Sequence, residues 1–223
     1  MTLTTKFKAA LSGLALISAA VLPMNAATAV PQTVSAEAVA AAKPVPTLGY
    51  STQTVKTLNI DFQYQQTGYW CGPAATRIAL SARIAPPSQQ QLANELPTTT
   101  NGTDWIGQVT RVLNNHLGTG WYETKEMPND PPTAAQRDLL WRDIVLDINN
   151  GYAIVANIVA PPGNQPPGYP PGQTIYHYFT VIGYNDANMT VLIADPASFG
   201  GNQIYWLTFN QLATLIPPKG YSA

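Results

Sequence analysis

Hydrophobic positions recur with two different periods along this chain. From residue 74 to residue 149, apolar side chains return every three or four positions, and this spacing predicts helices over Ala74–Ile84, Ser88–Leu96, Thr103–Gly118 and Thr133–Asn149. After residue 151 the apolar runs become short and nearly continuous, and they predict strands over Tyr152–Ala160, Ile175–Tyr184, Met189–Ala194 and Ile204–Leu207. A last helix is expected from Thr208 to Pro217. Helices first and an antiparallel sheet second predict an α+β domain, with the N-terminal helices packed on the C-terminal sheet.

The first 29 residues have the pattern of a secretory signal peptide. Lys6 and Lys8 precede a mostly apolar run from Ala9 to Leu22, and Ala27-Thr28-Ala29 is a small-residue cleavage site. The run is shorter than the roughly 20 residues that span a bilayer. We therefore expect cleavage after Ala29, a secreted protein and no stable membrane insertion of the mature chain.

Residues 30–56 lack either period and are rich in Ala, Val, Thr and Pro, so we interpret them as a flexible spacer or a short propeptide. Alternation at Leu58, Ile60 and Phe62 predicts a half-buried strand, and Trp121–Glu126 a strand or extended link. The globular domain is accordingly expected to cover residues 57–223.

Composition narrows the classes of function. Only 10% of the residues are charged, and 11 basic residues nearly balance 12 acidic ones, so the net charge of −1 provides no field for nucleic acid. One cysteine, two histidines and no HExxH or CxxC spacing argue against a disulfide framework and a zinc site. We expect a monomer without metal or cofactor.

The segment Pro161–Gln173 departs from both periods, because it holds six prolines and three glycines. It joins two predicted core strands. It is either a stiff surface connection or a wall beside a binding site, in which case Tyr169 would contact a bound peptide.

Cys71 lies where a loop enters the first predicted helix. Unpaired N–H groups and the helix dipole at that point favour a thiolate, and Pro73 fits a first helical turn. A buried, inert cysteine is the alternative, but such a residue is expected on the apolar face of a helix, whereas Cys71 precedes that face.

His177 interrupts a predicted buried strand and therefore needs a hydrogen-bond partner. If the hairpin turn is centred on Asp186, Asp195 lies directly opposite His177 on the same face, close enough to orient the imidazole. A structural core histidine and an ordinary Asp-Pro turn are the alternatives. The second histidine, His116, lies near a helix end, where a solvated side chain is the simpler explanation.

Three segments resemble the signature blocks of bacteriocin-processing, double-glycine leader peptidases, a papain-like family. They are Gln65–Ala75, His177–Tyr184 and Ile193–Pro196, within a match from about Leu58 to Ile216. The resemblance implies a Cys71 nucleophile, a His177 base, an Asp195 that orients it and an oxyanion-hole donor at Gln65, with Gln66 as the rival for that role. We expect Trp70, Gly72 and Tyr169 to contact substrate.

These residues predict acyl transfer through a thioester. The leading hypothesis is a secreted cysteine peptidase that acts on a peptide or protein. Another thiol amidase, deamidase or cell-wall hydrolase would use the same residues, and casein, small amides and peptidoglycan would separate these activities. A catalytically silent binding protein is the third hypothesis, and iodoacetamide labelling at mildly acidic pH would test it.

Overall fold

Helices on both faces of one antiparallel sheet make up residues 54–223, the part of the chain that this computed structural model describes. The signal peptide predicted at residues 1–29 and nearly all of the spacer lie outside the described residues. The helices are α1 (Cys71–Ser81), α2 (Gln89–Glu95), α3 (Ile106–Leu117), α4 (Ala134–Asn149) and α5 (Phe209–Leu215). The strands are β1 (Val55–Thr57), β2 (Thr124–Glu126), β3 (Ile154–Ala160), β4 (Ile175–Asn185), β5 (Thr190–Ala194), β6 (Ile204–Thr208) and β7 (Gly220–Ser222).

The strands of the sheet run in the order β2-β7-β3-β4-β5-β6, and every pair is antiparallel. β3 pairs with β4 as far as Val181, and β1 pairs with β4 from Gly183 to Asn185. Because β5 already occupies the other side of those residues, β1 continues the β3 side of β4. β4 is therefore central, and it carries His177.

Side chains that alternate along β4 enter two separate cores. Tyr178 and Ile182 pack with α1, α2 and α3, whereas Phe179 and Val181 pack with α4 and α5. This alternation is the ordinary consequence of a strand's two-residue period. The expected α+β fold is confirmed, although the C-terminal half also supplies α5 to the face that α4 covers.

The helix ends follow the polar signals in the sequence. Ser88, Thr133 and Thr208 each precede a helix, and each hydroxyl accepts a hydrogen bond from a backbone N–H of the first turn, at 3.1 to 3.2 Å. Gly118 ends α3 in the left-handed conformation, with φ of 58°. The predicted limits of these helices are thus accurate to within a few residues.

Three boundary predictions need correction. The sheet begins at Val55, two residues before the expected domain start, and Leu58 to Phe62 form no strand although their side chains still pack on the core. β7 was not predicted, and it inserts between β2 and β3. Within residues 54–223, no helix is long and apolar enough to cross a membrane.

Candidate active site

Cys71 is the first residue of α1. Trp70 caps the helix, and its carbonyl accepts the first helical hydrogen bond, from Ala74 N at 2.9 Å. The backbone N–H groups of Gly72 and Tyr178 hydrogen bond to the sulfur and stabilise its ionised form. The prediction that Cys71 lies at or next to the first helical turn is confirmed, although α1 begins three residues before the expected Ala74.

The contact between α1 and β4 brings Cys71 to the sheet. Thr180 on β4 donates its hydroxyl to the carbonyl of Ala75, one turn into the helix, at 2.9 Å. β5 ends at Ala194, opposite Thr180, and has no residue paired with Tyr178. The start of α1 lies beside this stretch of β4, so the N–H of Tyr178 bonds to the sulfur of Cys71.

His177 connects the thiol to a carboxylate. Its Nε2 lies 2.8 Å from Oδ1 of Asp195, and its side chain also hydrogen bonds with Cys71, for which Nδ1 remains. The imidazole is almost fully buried, with Tyr169 and Phe199 against its ring at centroid distances of 6.0 and 5.7 Å. The three side chains that the sequence singled out form one hydrogen-bonded chain.

Asp195 is fully buried, and both of its carboxylate oxygens are satisfied. Oδ1 accepts from His177 and from the backbone N–H of Ala197 at 3.0 Å. Oδ2 accepts from the hydroxyls of Tyr169 at 2.8 Å and Tyr205 at 3.0 Å. Four donors surround this carboxylate, as a buried anion requires.

The register that was expected to pair His177 with Asp195 is wrong. The turn covers residues 186–189, Ile193 pairs with Val181, and His177 pairs with Ile158 of β3. Continued past Ala194, this register places Asp195 opposite Phe179, two residues from the predicted partner. A shift of two keeps the side chains on one face, so they meet diagonally rather than directly.

The electrostatics of the chain favour an ion pair. Burial lowers the pKa of His177, but the negative charge and hydrogen bond of Asp195, with a further contribution from Cys71, raise it to about 10. Burial raises the pKa of Cys71, but His177 and the two N–H groups lower it below the ordinary value. Burial raises the carboxyl pKa of Asp195, but the charge of His177 and the hydrogen bonds from His177, Tyr169 and Ala197 together lower it below the ordinary value. A thiolate beside an imidazolium can attack an acyl carbon.

A cleft opens at this chain of residues. The segment 101–104 forms one wall of this cleft, and Tyr176, Tyr178 and Lys219 also line it. Tyr176 is 68% exposed, and Nζ of Lys219 lies 5.8 Å from the centre of its ring. Apart from Cys71 and His177, the charged side chains that line this cleft are Asp104 and Lys219.

Comparison with known proteins identifies a family for this chain. The model of the Peptidase_C39 like family matches residues 57–215, which is most of the chain. The chain belongs to this family. It is therefore a cysteine peptidase with an α+β fold of the papain-like type, as the resemblance of its three segments implied.

Solved structures similar to this peptidase have low sequence identity. The peptidase domain of Streptococcus ComA, a bi-functional ABC transporter in a quorum-sensing pathway, is 18% identical, with 75% of this chain and 97% of that chain covered and a TM-score of 0.45. A C39-like peptidase from Bacillus anthracis is 15% identical, with 76% and 96% covered and a TM-score of 0.49. No curated protein sequence matches the chain.

Gln65 lies in the loop before Cys71. Its backbone N–H donates to the carbonyl of Pro196 at 2.9 Å, which ties the loop to the turn after Asp195. Its Nε2 donates to the carbonyl of Thr67 at 2.9 Å, and its Oε1 is buried with no hydrogen-bond partner among residues 54–223. Gln66, the rival for the oxyanion-hole role, is exposed and bonds through its backbone to Gln89.

The structure places the three expected substrate contacts differently. Trp70 caps α1 and is half-buried, and it does not line the cleft of the peptidase. Gly72 is buried: a Cβ there would lie 2.2 Å from Oγ1 of Thr103, so the missing side chain makes room for the 101–104 wall. Tyr169 is only 5% exposed, so the expected contact with a peptide is wrong. Its hydroxyl donates to the buried carboxylate of Asp195 instead.

Tyr205 was not among the site residues expected from the sequence. One signal was available. Tyr205 lies in the predicted strand Ile204–Leu207, where it pairs with Ile193, and Ile193 shares a face with Asp195, two residues further on. Within residues 54–223 of the peptidase, no three His, Cys, Asp or Glu side chains are grouped so that they could hold a metal ion.

Proposed function

We propose that this protein is a secreted cysteine peptidase that hydrolyses peptide bonds through Cys71, His177 and Asp195. The observation that carries the proposal is the hydrogen-bonded chain from the sulfur through the imidazole to the buried carboxylate. Each member has the surroundings that its role requires: a helix start for the thiolate, a charged partner for the imidazole and four donors for the carboxylate.

The reaction starts from the thiolate and imidazolium. The sulfur of Cys71 attacks the peptide carbonyl carbon, and His177 gives its proton to the leaving nitrogen as the C–N bond breaks. A thioester and a free amine result. His177, now neutral, takes a proton from water, the hydroxide attacks the thioester, and release of the acid restores the thiolate.

The tetrahedral intermediates carry a negative oxygen that needs hydrogen-bond donors. The backbone N–H of Cys71 is at the start of α1, where it has no helical partner. Gln65 is the second donor in this proposal: its amide nitrogen has two hydrogens, and the bond to Thr67 uses one. Loss of one such donor costs about 2.7 to 4 kcal/mol of transition-state stabilisation.

The proposed substrate is a peptide or protein chain in the cleft between the 101–104 wall and Tyr176. Asp104 and Lys219 line this cleft together, so a chain with charged side chains of both signs fits it better than a small neutral amide. The proposal of peptide hydrolysis is tested with purified protein on casein, a panel of peptides, small amides and peptidoglycan. Peptide cleavage that Cys71→Ala abolishes supports it, whereas turnover confined to small amides or peptidoglycan contradicts it.

Secretion is proposed from the sequence of residues 1–29, with its two lysines, apolar run and Ala-Thr-Ala site. Mass spectrometry of the protein recovered from the culture medium is expected to show an N-terminus at Val30. Protein that stays in the cell with residues 1–29 attached would contradict secretion without affecting the proposed chemistry.

A further inference from the structure

The far side of Asp195 is occupied by two tyrosines that the proposed reaction does not use. Tyr169 and Tyr205 donate their hydroxyls to Oδ2, at 2.8 and 3.0 Å, while His177 bonds to Oδ1. Neither tyrosine lines the cleft. Their hydroxyls therefore reach the reaction through the carboxylate, and the ring of Tyr169 also lies against that of His177.

We propose that Tyr169 and Tyr205 are positioning residues, which hold the Asp195 carboxylate in the ionised form and in the one orientation that directs Oδ1 at His177. The inference deepens the proposed function and rests on it. It also gives the proline-rich segment Pro161–Gln173 a role, because that segment carries Tyr169.

Tyr169 and Tyr205 form a clamp on the Asp195 carboxylate, and each tyrosine is held by a different element. Tyr205 is held on β6, where it pairs with Ile193 of β5. Tyr169 is held by its loop: Gln165 donates its amide to the carbonyls of Pro170 and Gln173, at 2.8 and 2.7 Å, and closes the segment on itself. Hydroxyls fixed from both a strand and a stiff loop leave the carboxylate little freedom to turn.

The loop also packs on the turn after Asp195. The ring of Tyr169 lies 4.4 Å from that of Phe199, centroid to centroid. Gly168, with φ of 80°, lies so close that a Cβ would be 2.2 Å from the carbonyl oxygen of Phe199. The residue before Tyr169 must therefore be small for the hydroxyl to reach Asp195.

The chemistry of the clamp follows from the fact that all four neighbours of the carboxylate act as donors. A protonated Asp195 would keep fewer acceptor sites, and one tyrosine hydroxyl would have to rotate from donating to accepting its O–H, so the present arrangement favours the ionised carboxylate. The titratable groups that face Asp195 within the described chain are His177 from β4, Tyr169 from the loop and Tyr205 from β6, with Cys71 of α1 beyond the imidazole.

Three variants test the clamp: Tyr169→Phe, Tyr205→Phe and the double variant. Phenylalanine keeps the ring and removes only the donor. The matched control is Tyr221→Phe, because the hydroxyl of Tyr221 donates to a carboxylate, that of Asp143, at 2.7 Å and away from the site. The readouts are the pH dependence of iodoacetamide alkylation of Cys71 and the kinetics of peptide hydrolysis, both per folded molecule.

Each single variant is expected to move the acid limb of alkylation and of kcat/KM to higher pH by about one unit, because the carboxylate loses a charge-assisted hydrogen bond. kcat is expected to fall about tenfold with KM unchanged, the double variant is expected to shift further, and the Tyr221→Phe profile is expected to match wild type.

Other outcomes overturn the clamp or the function separately. Profiles that match wild type in both single variants, with only the melting temperature lowered, would make the tyrosines structural and overturn the clamp. A KM that rises unequally among peptides would make Tyr169 a substrate contact, with the same consequence. If no peptide is cleaved by wild type but the alkylation profiles shift as expected, the clamp stands and the proposed peptidase function fails.

Discussion

Replacement of Asp195 by asparagine isolates the charge of the buried pair from its geometry. An asparagine carbonyl can accept from His177 and Ala197 as Oδ1 does now, and its amide can donate to the hydroxyls of Tyr169 and Tyr205, which rotate to accept. All four contacts are therefore retained in Asp195→Asn. Only the negative charge is lost.

The loss of stability expected in Asp195→Asn follows from the pKa of His177. A rise in the pKa of His177 from 6.5 to about 10 corresponds to about 5 kcal/mol of preference for the protonated ring in the folded protein. Because this pKa is raised, the stabilisation is fully present below about 6.5 and is lost as the pH rises through about 10. The lowered pKa of Asp195 adds stability above about 3.9, which is constant over this range.

We therefore expect Asp195→Asn to lower the free energy of unfolding by about 3 to 5 kcal/mol at pH 5 and by about 1 kcal/mol at pH 9. Urea unfolding at pH 5, 7 and 9 measures the difference. The matched control is Asp143→Asn, which also removes a carboxylate bonded to a tyrosine, whereas the two histidines bond to other carboxylates, Glu95 and Asp195. A loss for Asp195→Asn that is equal at all three pH values would refute the ion pair, whatever its size.

Three further substitutions test other parts of the site. Cys71→Ala should abolish peptide hydrolysis, because it removes the nucleophile. It should change the free energy of unfolding by less than about 1 kcal/mol, since the thiol is half-buried at a helix start, and an unfolded variant would show that the thiol is structural. Gly168→Ala should lower kcat, and should lower the free energy of unfolding by about 1 to 3 kcal/mol, because its Cβ clashes with the carbonyl of Phe199. Gly172→Ala, with φ of 81° and open space around it, should cost only the backbone strain, and equal kinetic effects of the two variants would refute the clash. Lys219→Glu should reduce kcat/KM for acidic peptides relative to basic ones by about threefold, measured at low salt, and an unchanged ratio would remove Lys219 from the substrate site.

The fold could be predicted from the sequence to the extent that the signals are local. Ser88, Thr133 and Thr208 predicted helix starts because a hydroxyl satisfies N–H groups within three residues of itself. β7 could not be predicted in this way. This strand is only three residues long and closely follows Pro217-Pro218. It forms because β2 and β3 pair with it on either side.

The candidate site shows the same limit. Cys71 and His177 were identifiable, since one precedes an apolar helix face and the other interrupts an apolar strand. The support that the proline-rich segment gives to Asp195 could not be identified in this way, because the hydrogen bond from Tyr169 to Asp195 joins residues 26 apart through a loop without periodicity. The six prolines indicated that the loop is stiff, but only the fold shows that the loop supports the carboxylate bonded to His177.

The error in the hairpin register explains why the prediction of Asp195 still identified the correct face. Beside the turn the true pairing differs from the predicted one by three residues, and a register shift between Val181 and Gly183 reduces the difference to two, so Asp195 is the diagonal neighbour of His177. A direct pair would place the two β-carbons about 4.5 to 5.5 Å apart, and a diagonal pair lies farther apart, at 7 to 8 Å between α-carbons. The imidazole and carboxylate span that gap with a 2.8 Å bond, and the same diagonal on the other side admits Tyr205 from β6. Asp195 thus lies between β4 and β6 and accepts a hydrogen bond from a side chain of each.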